Sequence, residues 1–302
     1  MWRRTTPKGM NHVQTSSGHL TKDGIRIHDA SDFAGMRAAG ALAAKLLDDI
    51  APHVVPGQTT GELDRLITEW VQEAGATSAT IGYKGYQHAS CISVNHVVCH
   101  GIPGAPIPKD SSETISRDYE KRRADDKLKD GDILNIDITV IVDGWFGDSS
   151  RMYVAGKMPK KAERLIQVTH DALMKGIEAA KPGNTFGDIG HAIQLYAESN
   201  RMSVVRDFCG HGLGRVFHAP PNVLHYGRAG TGPVLEEGMF FTVEPMINLG
   251  RPETKVLNDD WTAVTRDKSL SAQFEHSIGI TADGAEIFTL SPGNIFHPTF
   301  SA

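Results

Sequence analysis

The sequence predicts a mixed α/β (α+β) fold in which two related halves, arranged about a pseudo-twofold, surround one charged centre. Three observations predict it. Pro56-Gly57-Gln58-Thr59-Thr60-Gly61-Glu62-Leu63 is echoed by Pro182-Gly183-Asn184-Thr185-Phe186-Gly187-Asp188-Ile189 at an offset of 126. Leu128-Lys129-Asp130-Gly131, leading into Ile136-Asp137, is echoed by Leu235-Glu236-Glu237-Gly238, leading into Val243-Glu244, at an offset of 107. Pro-Gly and Asp-Gly turns are common, so either echo alone is weak, but two in the same order argue for internal duplication. Third, Asp137, Asp148, Glu244 and Glu275 stand on strand-like segments. Four carboxylates held close together raise one another's pKa and strain a fold, and divalent cations are the simplest neutraliser.

The elements follow in order. Met1 to Lys22 has no acidic residue and carries Arg3, Arg4, Lys8 and Lys22 among Thr, Ser and Gly, without the apolar run of a secretory signal. Residues 1–23 read as a flexible tail, with an organellar transit peptide as the competing reading. Residues 24–302 suit one domain at 40% hydrophobic and 22% charged. Ser31 is the expected cap of a first helix marked by Phe33, Met36, Leu42, Leu46, Leu47 and Ile50. Thr59 with Glu62 reads as a capping box before Leu63, Leu66, Ile67, Trp70 and Ala74 at helical spacing, with Gly75 as the stop. Thr185 with Asp188 is a looser box in the second half. The offset between halves falls because residues 105–126 are surplus: a polar, mixed-charge insertion holding Lys121-Arg122-Arg123. It reads as a surface loop or, more pointedly, as a docking element for a partner that carries nascent chains.

Leu134, Ile136, Ile138, Val140 and Val142 alternate with Asn135, Asp137 and Thr139, a period-2 strand with Asp137 on its polar face. Asp143-Gly144 predicts a two-residue hairpin. Pairing Val142 with Trp145 sets Asp148 opposite Thr139, a diagonal neighbour of Asp137 at roughly 7–8 Å. Ser271 to Ile280 reads as a second such strand, with Glu275 between Gln273 and Ser277 and with His276 on the structural, apolar face. Glu244 ends an apolar strand before Pro245. His211 lies in a glycine-rich stretch, Gly210-His211-Gly212-Leu213-Gly214, whose glycines expose it and let backbone or a ligand come close, with a loop histidine of no role as the competing reading. His218 follows seven residues later, and His100 sits in His100-Gly101-Ile102-Pro103.

A formal net charge of -5 gives no sign of a nucleic-acid partner. No stretch approaches the ~18 consecutive apolar residues of a membrane span. Three cysteines without a CxxC pair fit a reducing compartment, and the chain is expected to be cytoplasmic.

His100-Gly101-Ile102-Pro103, Asn135-Ile136-Asp137, Gly147-Asp148, Gly210-His211-Gly212-Leu213-Gly214, Phe217-His218, Glu244-Pro245 and Glu275-His276 together resemble the motifs of type I methionine aminopeptidases, in their order. The spacings of 11, 63, 33 and 31 from Asp137 through Asp148, His211 and Glu244 to Glu275 are also similar to that family's. The resemblance covers roughly residues 24–288. It implies the pseudosymmetric "pita-bread" fold, with antiparallel sheets around a central dinuclear site and helices outside. It implies removal of the N-terminal methionine, with a small second residue preferred, by a water activated between two metals.

Carried over by position, Asp137, Asp148, His211, Glu244 and Glu275 resemble the metal ligands, with Asp148 and Glu275 bridging. Such oxygen-rich ligation suits Co, Mn, Fe(II), Zn or Ni. Glu244 would also relay a proton. His100 and His218 resemble the residues that touch substrate and the developing intermediate. Tyr83, Tyr86, Cys91, Phe217 and Trp261 match the methionine pocket, and Asn95, Val97 and Ser271 a monovalent-cation (Na or K) site. Two departures stand out: Thr80 replaces a pocket cysteine of some relatives, and the 105–126 insertion is absent from compact members. The implied partners are a peptide or nascent-protein N-terminus and the ribosome, with no membrane and a monomeric protein. The rivals are a prolidase or aminopeptidase P, whose usual N-terminal domain is replaced here by a short tail, and a non-catalytic binding protein, which would lack some of the five ligands.

Overall fold

The computed structural model describes residues 18–104 and 126–295. Most of the expected tail, and all of the expected insertion except Asp126, lie outside the described residues. In chain order, helices α1 (Ala30–Ile50) and α2 (Thr60–Glu73) precede strands β1 (Thr77–Ser78), β2 (Ser90–Val94), β3 (Val97–Cys99), β4 (Asp132–Val142) and β5 (Trp145–Ala155). Helices α3 (Lys160–Ala179) and α4 (Phe186–Ser199) open the second half. It continues with β6 (Ser203–Val204), β7 (Gly210–Gly212), β8 (Ala219–Val223), β9 (Phe240–Val243), β10 (Met246–Asn248), β11 (Thr254–Val256), β12 (Ala263–Thr265), β13 (Ser271–Gln273), β14 (Glu275–Thr281) and β15 (Gly284–Ile287).

The duplication is visible in the hydrogen bonds. In the first half the two echoed blocks bond each other: Gly57 N–H donates to Leu128 O (2.7 Å) and Leu128 N–H to Gln58 O (2.8 Å). In the second half the equivalents do the same: Gly183 N–H to Leu235 O (3.0 Å) and Leu235 N–H to Asn184 O (2.7 Å). Each repeat therefore starts its second helix from the turn that leads into its ligand strand.

The helix starts differ from expectation in detail. Asp29, not Ser31, caps α1: its carboxylate accepts from the Ser31 N–H (3.0 Å) and hydroxyl (2.6 Å), because the helix begins one residue before Ser31. At α2 only the hydroxyl half of the box forms, Glu62 N–H to Thr59 Oγ1 at 3.1 Å, because the Glu62 carboxylate binds Arg65 instead. At α4 the expected box is present, with Asp188 accepting from the Thr185 N–H (2.8 Å) and hydroxyl (2.7 Å). Leu63, Ile67 and Val71 form the buried stripe of α2, while Ala74 is exposed at its C-cap, before Gly75 at φ 69°.

One sheet runs β1-β4-β5-β14-β9-β7-β8, with β2 also on β4 and β15 also on β14. The β4–β5 hairpin has the expected register, Val142 opposite Trp145 and Thr139 opposite Asp148, across a turn with Asp143 and Gly144 at φ 49° and 80°. The single strand expected over 271–280 is instead two. Residues 271–273 pair with β10 in a separate three-stranded sheet, and 275–281 pair with β5 and β9. Phe274, between them, is buried in the core. His211 is on a short strand rather than a loop. Gly210 and Gly212 lie so close to their neighbours that an added Cβ would fall 2.4 Å from Thr242 O and 2.2 Å from Pro220 O.

Each helix pair covers its own half. Leu47, Leu63 and Ile67 pack on Ile136 and Ile138, and Leu173, Ile189 and Ile193 share a core with Phe241 and Ile278. Helix α1 lies unusually near β5, since a Cβ on Gly147 would sit 2.2 Å from Ala39 O. Arg151 of β5 pairs with Asp48 of α1 (2.5 Å) at 6% and 10% side-chain exposure, and Asp48 also accepts from Ser291 (2.8 Å) and Gly293 (2.8 Å). Replacing Arg151 by methionine strands a buried carboxylate and should cost about 3–5 kcal/mol in denaturant unfolding. The double change with Asp48→Leu should recover part of that loss. A single-variant loss below about 1 kcal/mol would mean that the pair is effectively solvated.

Candidate metal centre and substrate cavity

Five neighbouring strands of the large sheet bring the five expected ligands to one place. Asp137 comes from β4, Asp148 from β5, Glu275 from β14, Glu244 from the residue after β9, and His211 from β7. Ser150 is opposite both Asp137 and Glu275, which places those two acids on either side of β5 at one level. Ligand-type atoms of Asp148, His211 and Glu275 lie within 4.8 Å of one another. His211 Nε2 is 3.4 Å from Asp148 Oδ2 and 3.8 Å from Glu244 Oε1.

Neighbouring side chains aim these groups. The Thr139 hydroxyl donates to Asp148 Oδ1 (2.7 Å) and that of Thr242 to Glu244 Oε1 (2.7 Å), while Thr242 Oγ1 accepts from His211 N–H (3.0 Å). The Gln273 amide donates to Glu244 Oε2 (3.3 Å). Glu244 N–H donates to His225 Nε2 (3.1 Å), and burial holds His225 neutral, its pKa pushed down to about 3. None of these four partners was singled out from the sequence. Thr139, Thr242 and Gln273 carried a usable signal, since each lies two residues before or after an expected ligand on its strand path. His225 carried none.

The electrostatics describe a site built for cations. Burial, then Asp148 and Glu244, push Asp137 well above the ordinary carboxylate range. Burial, then Asp148, do the same to Glu275. Burial lifts Glu244 to about 7, against the favourable field of His211. Burial opposes a charge on His211, but the hydrogen bond to Asp148 and the field of Glu244 outweigh it and raise its pKa. Four carboxylates and one imidazole without a thiolate form a donor set that suits hard to borderline divalent ions.

Above this floor is a cavity of about 800 Å³. All the expected pocket residues line it: Tyr83, Tyr86, Cys91, Phe217 and Trp261, together with His100 and His218. Tyr86 packs on Trp261 (4.9 Å between ring centroids), and Tyr83 stacks on His218 (5.1 Å, 20°). His218 lies 4.1 Å from the His211 ring. Burial and then the His211 charge lower His218 to about 4, and burial also lowers His100. Both rings are therefore neutral near pH 7 and can donate a hydrogen bond without carrying charge. Burial raises Tyr86 and Cys91, so both stay protonated. Thr80 lines the cavity too, its hydroxyl tied to His88 O (2.6 Å). Asn95, at φ 57°, accepts from Ser271 N–H through its carbonyl (2.9 Å), and Val97 pairs with Val264 two residues along.

The comparisons with known proteins agree with this geometry. The model of metallopeptidase family M24 matches residues 34–282. A methionine aminopeptidase of Rickettsia prowazekii (strain Madrid E) is 54% identical over 277 residues, 91% of this chain and 99% of that protein. The crystal structure of methionine aminopeptidase from Rickettsia prowazekii aligns with a TM-score of 0.81 at 55% identity, covering 88% of this chain and 100% of that one. The prolidase from Pyrococcus horikoshii OT3, at 19% identity and a TM-score of 0.61 over 87% of this chain and 63% of that one, shares the fold alone. The fold is the expected pita-bread arrangement.

Proposed function

This chain belongs to metallopeptidase family M24, and from that membership we propose that it removes the N-terminal methionine of nascent proteins and peptides, preferring a small second residue. The observation that carries the proposal is the convergence of Asp148, His211 and Glu275, with Glu244 and Asp137 beside them, under a cavity lined by aromatic rings whose Tyr86 and Cys91 are buried. Asp137, Asp148, His211, Glu244 and Glu275 would hold two divalent ions. Drawn from Mn, Fe(II), Co, Zn or Ni, such ions supply Lewis acidity and an acidified water when bound. Asn95, Val97 and Ser271 would hold a monovalent cation.

The chain's own groups do the rest. Tyr83, Tyr86, Cys91, Phe217 and Trp261 take the methionine side chain, an unbranched thioether suited to rings and polarisable sulfur. With Tyr86 and Cys91 protonated, the pocket offers no charge to a charged first residue. His100 and His218 donate to the substrate carbonyl oxygen as it gains negative charge. A carboxylate oxygen of Glu244, oriented by Thr242 and Gln273, takes the proton of the attacking water and returns it to the leaving amine.

The test is release of the first residue from Met-Gly, Met-Ala, Met-Leu, Met-Lys, Met-Pro and Lys-Gly peptides. Met-Gly and Met-Ala should be cleaved, with Met-Lys near background because a bulky second residue crowds the reacting centre, and Lys-Gly near background because a charged first residue does not suit the pocket. Norleucine should be accepted less well, since a hydrophobic pocket separates such isosteres by only ~1–3 kcal/mol. Equal cleavage across the set would make this a broad aminopeptidase, and exclusive cleavage of Met-Pro would favour the prolidase reading. Work on nascent chains would place the protein, as a monomer, in the cytoplasm near the ribosome. Gel filtration and cosedimentation with ribosomes check those points. No helix among the described residues is long and apolar enough to cross a membrane.

A further inference from the structure

We propose that Lys84 recognises a carboxylate on the substrate downstream of the scissile bond. The inference rests on the reading that the first residue fills the inner cavity. Tyr86 and Cys91, at that inner end, are buried, so the rest of the substrate must leave by the mouth, where Tyr83 is half-buried and Lys84 exposed.

The mouth presents Lys84 in a defined way. It stands in the left-handed region (φ 48°, ψ 28°), between Gly82 at φ 85° and Gly85 at φ 88°. The turn is closed by Gly82 N–H donating to Tyr86 O (2.7 Å). The Lys84 ammonium lies 5.2 Å from the centroid of the Tyr83 ring, a cation–π contact that holds the stem. Tyr83 in turn stacks on His218, which meets His211 at a tilt of 37°. The positive charge thus sits at the outer end of a row of rings whose inner end is a ligand.

Charge decides what this ammonium can bind. Lys84 is the one Lys or Arg among the described residues that line the cavity, and among the described residues its ammonium has neither ion pair nor hydrogen bond. The acids of the floor would be taken up by the ions. Asp207 accepts the Thr254 hydroxyl (2.5 Å). Asp23 is an exposed acid that lines the same cavity, and its repulsion of a carboxylate limits the advantage that Lys84 confers. The carboxylate can come from an Asp or Glu side chain or from the C-terminus of a short peptide.

Four peptides distinguish these sources on metal-reconstituted protein: Met-Ala-Gly-NH2, Met-Ala-Gly-OH, Met-Ala-Glu-NH2 and Met-Ala-Lys-NH2. The two carboxylate peptides should exceed the neutral amide by about three- to fivefold in kcat/KM, the size of an exposed ion pair, through KM rather than kcat. Met-Ala-Lys-NH2 should fall below it. Lys84→Met should remove the advantage, Lys84→Arg should keep it, and 0.5 M KCl should shrink it. An advantage confined to the free C-terminus identifies that source, and one confined to the Glu peptide identifies the side chain. Equal kcat/KM for neutral and acidic peptides, or an advantage that survives in Lys84→Met, overturns the role of Lys84 and leaves the proposed activity standing. Failure to cleave the neutral amide at all overturns that activity and this inference with it.

Discussion

Exhaustive chelation of this protein abolishes peptide hydrolysis and lowers its melting temperature by roughly 5–10 °C, and Mn, Co or Fe(II) restores both. The expectation follows from the crowding of Asp137, Asp148, Glu244 and Glu275 beside His211, which an ion relieves and an empty site does not. The pH dependence separates this account from a general loss of stability. In the ion-free chain Glu244 keeps its proton to about 7, whereas an ordinary glutamate gives it up near 4.5. Its contribution to folding is therefore full below about 4.5 and is lost as pH rises through 7. Asp137 and Glu275, also raised, act in the same sense. His225 and His276 act in the opposite sense. Buried as neutral rings with pKa values near 3, they oppose folding as pH falls from 6.5 toward 3, with or without ions. The gap in melting temperature between loaded and ion-free protein should then widen from pH 5 to pH 8. Full activity in protein free of metal by elemental analysis, or a gap that narrows over that range, would sink the assignment of the centre.

Replacing His218 by alanine lowers kcat by ~10²–10³ and leaves metal content at the wild-type level. His218 lies beside the centre, its ring 4.1 Å from that of His211, and is neutral near pH 7, so it suits donation to an oxygen that gains charge. It also carries Tyr83 and Phe217 against its faces. For that reason KM should rise modestly as the pocket wall loosens, while the larger effect stays in kcat. The measurement is steady-state kinetics on Met-Ala peptides beside elemental analysis of the same preparation. Loss of one metal equivalent would make His218 a ligand and its kinetic role indirect.

The legible parts of this fold are those in which a local rule had no competitor. Asp143-Gly144 between two alternating runs can form little else than a tight hairpin, and its register placed Asp148 across from Thr139. The misread parts are those in which neighbours in space intervened. Ser31 and Asp29 are both good caps, and only the path of residues 26–29 against Gly238 and Met239 selects Asp29. Glu62 could have closed its box but is drawn to Arg65. The glycines around His211 predict a close backbone approach, and three strands make it, but they do not reveal that His211 itself lies on one of those strands.

The sequence by itself determined the kinds of group at the centre, their order along the chain and the duplication that brings each half's acids inward. Alternation put Asp137 on a polar face, and the echoed turns paired it with Glu244. Tertiary structure alone decided that the strands lie in the order β4, β5, β14, β9 and β7, so that residues up to 138 positions apart become neighbours, as Asn135 and Gln273 are. It also decided that the run 271–280 changes sheets at Phe274, that Gln273 and Thr242 orient Glu244, and that Lys84 sits at the cavity mouth. The physical reason is that a period of two reports which face a side chain occupies but not which strand lies beside it. Strand partnership is fixed by the packing of the helix pairs over the whole sheet.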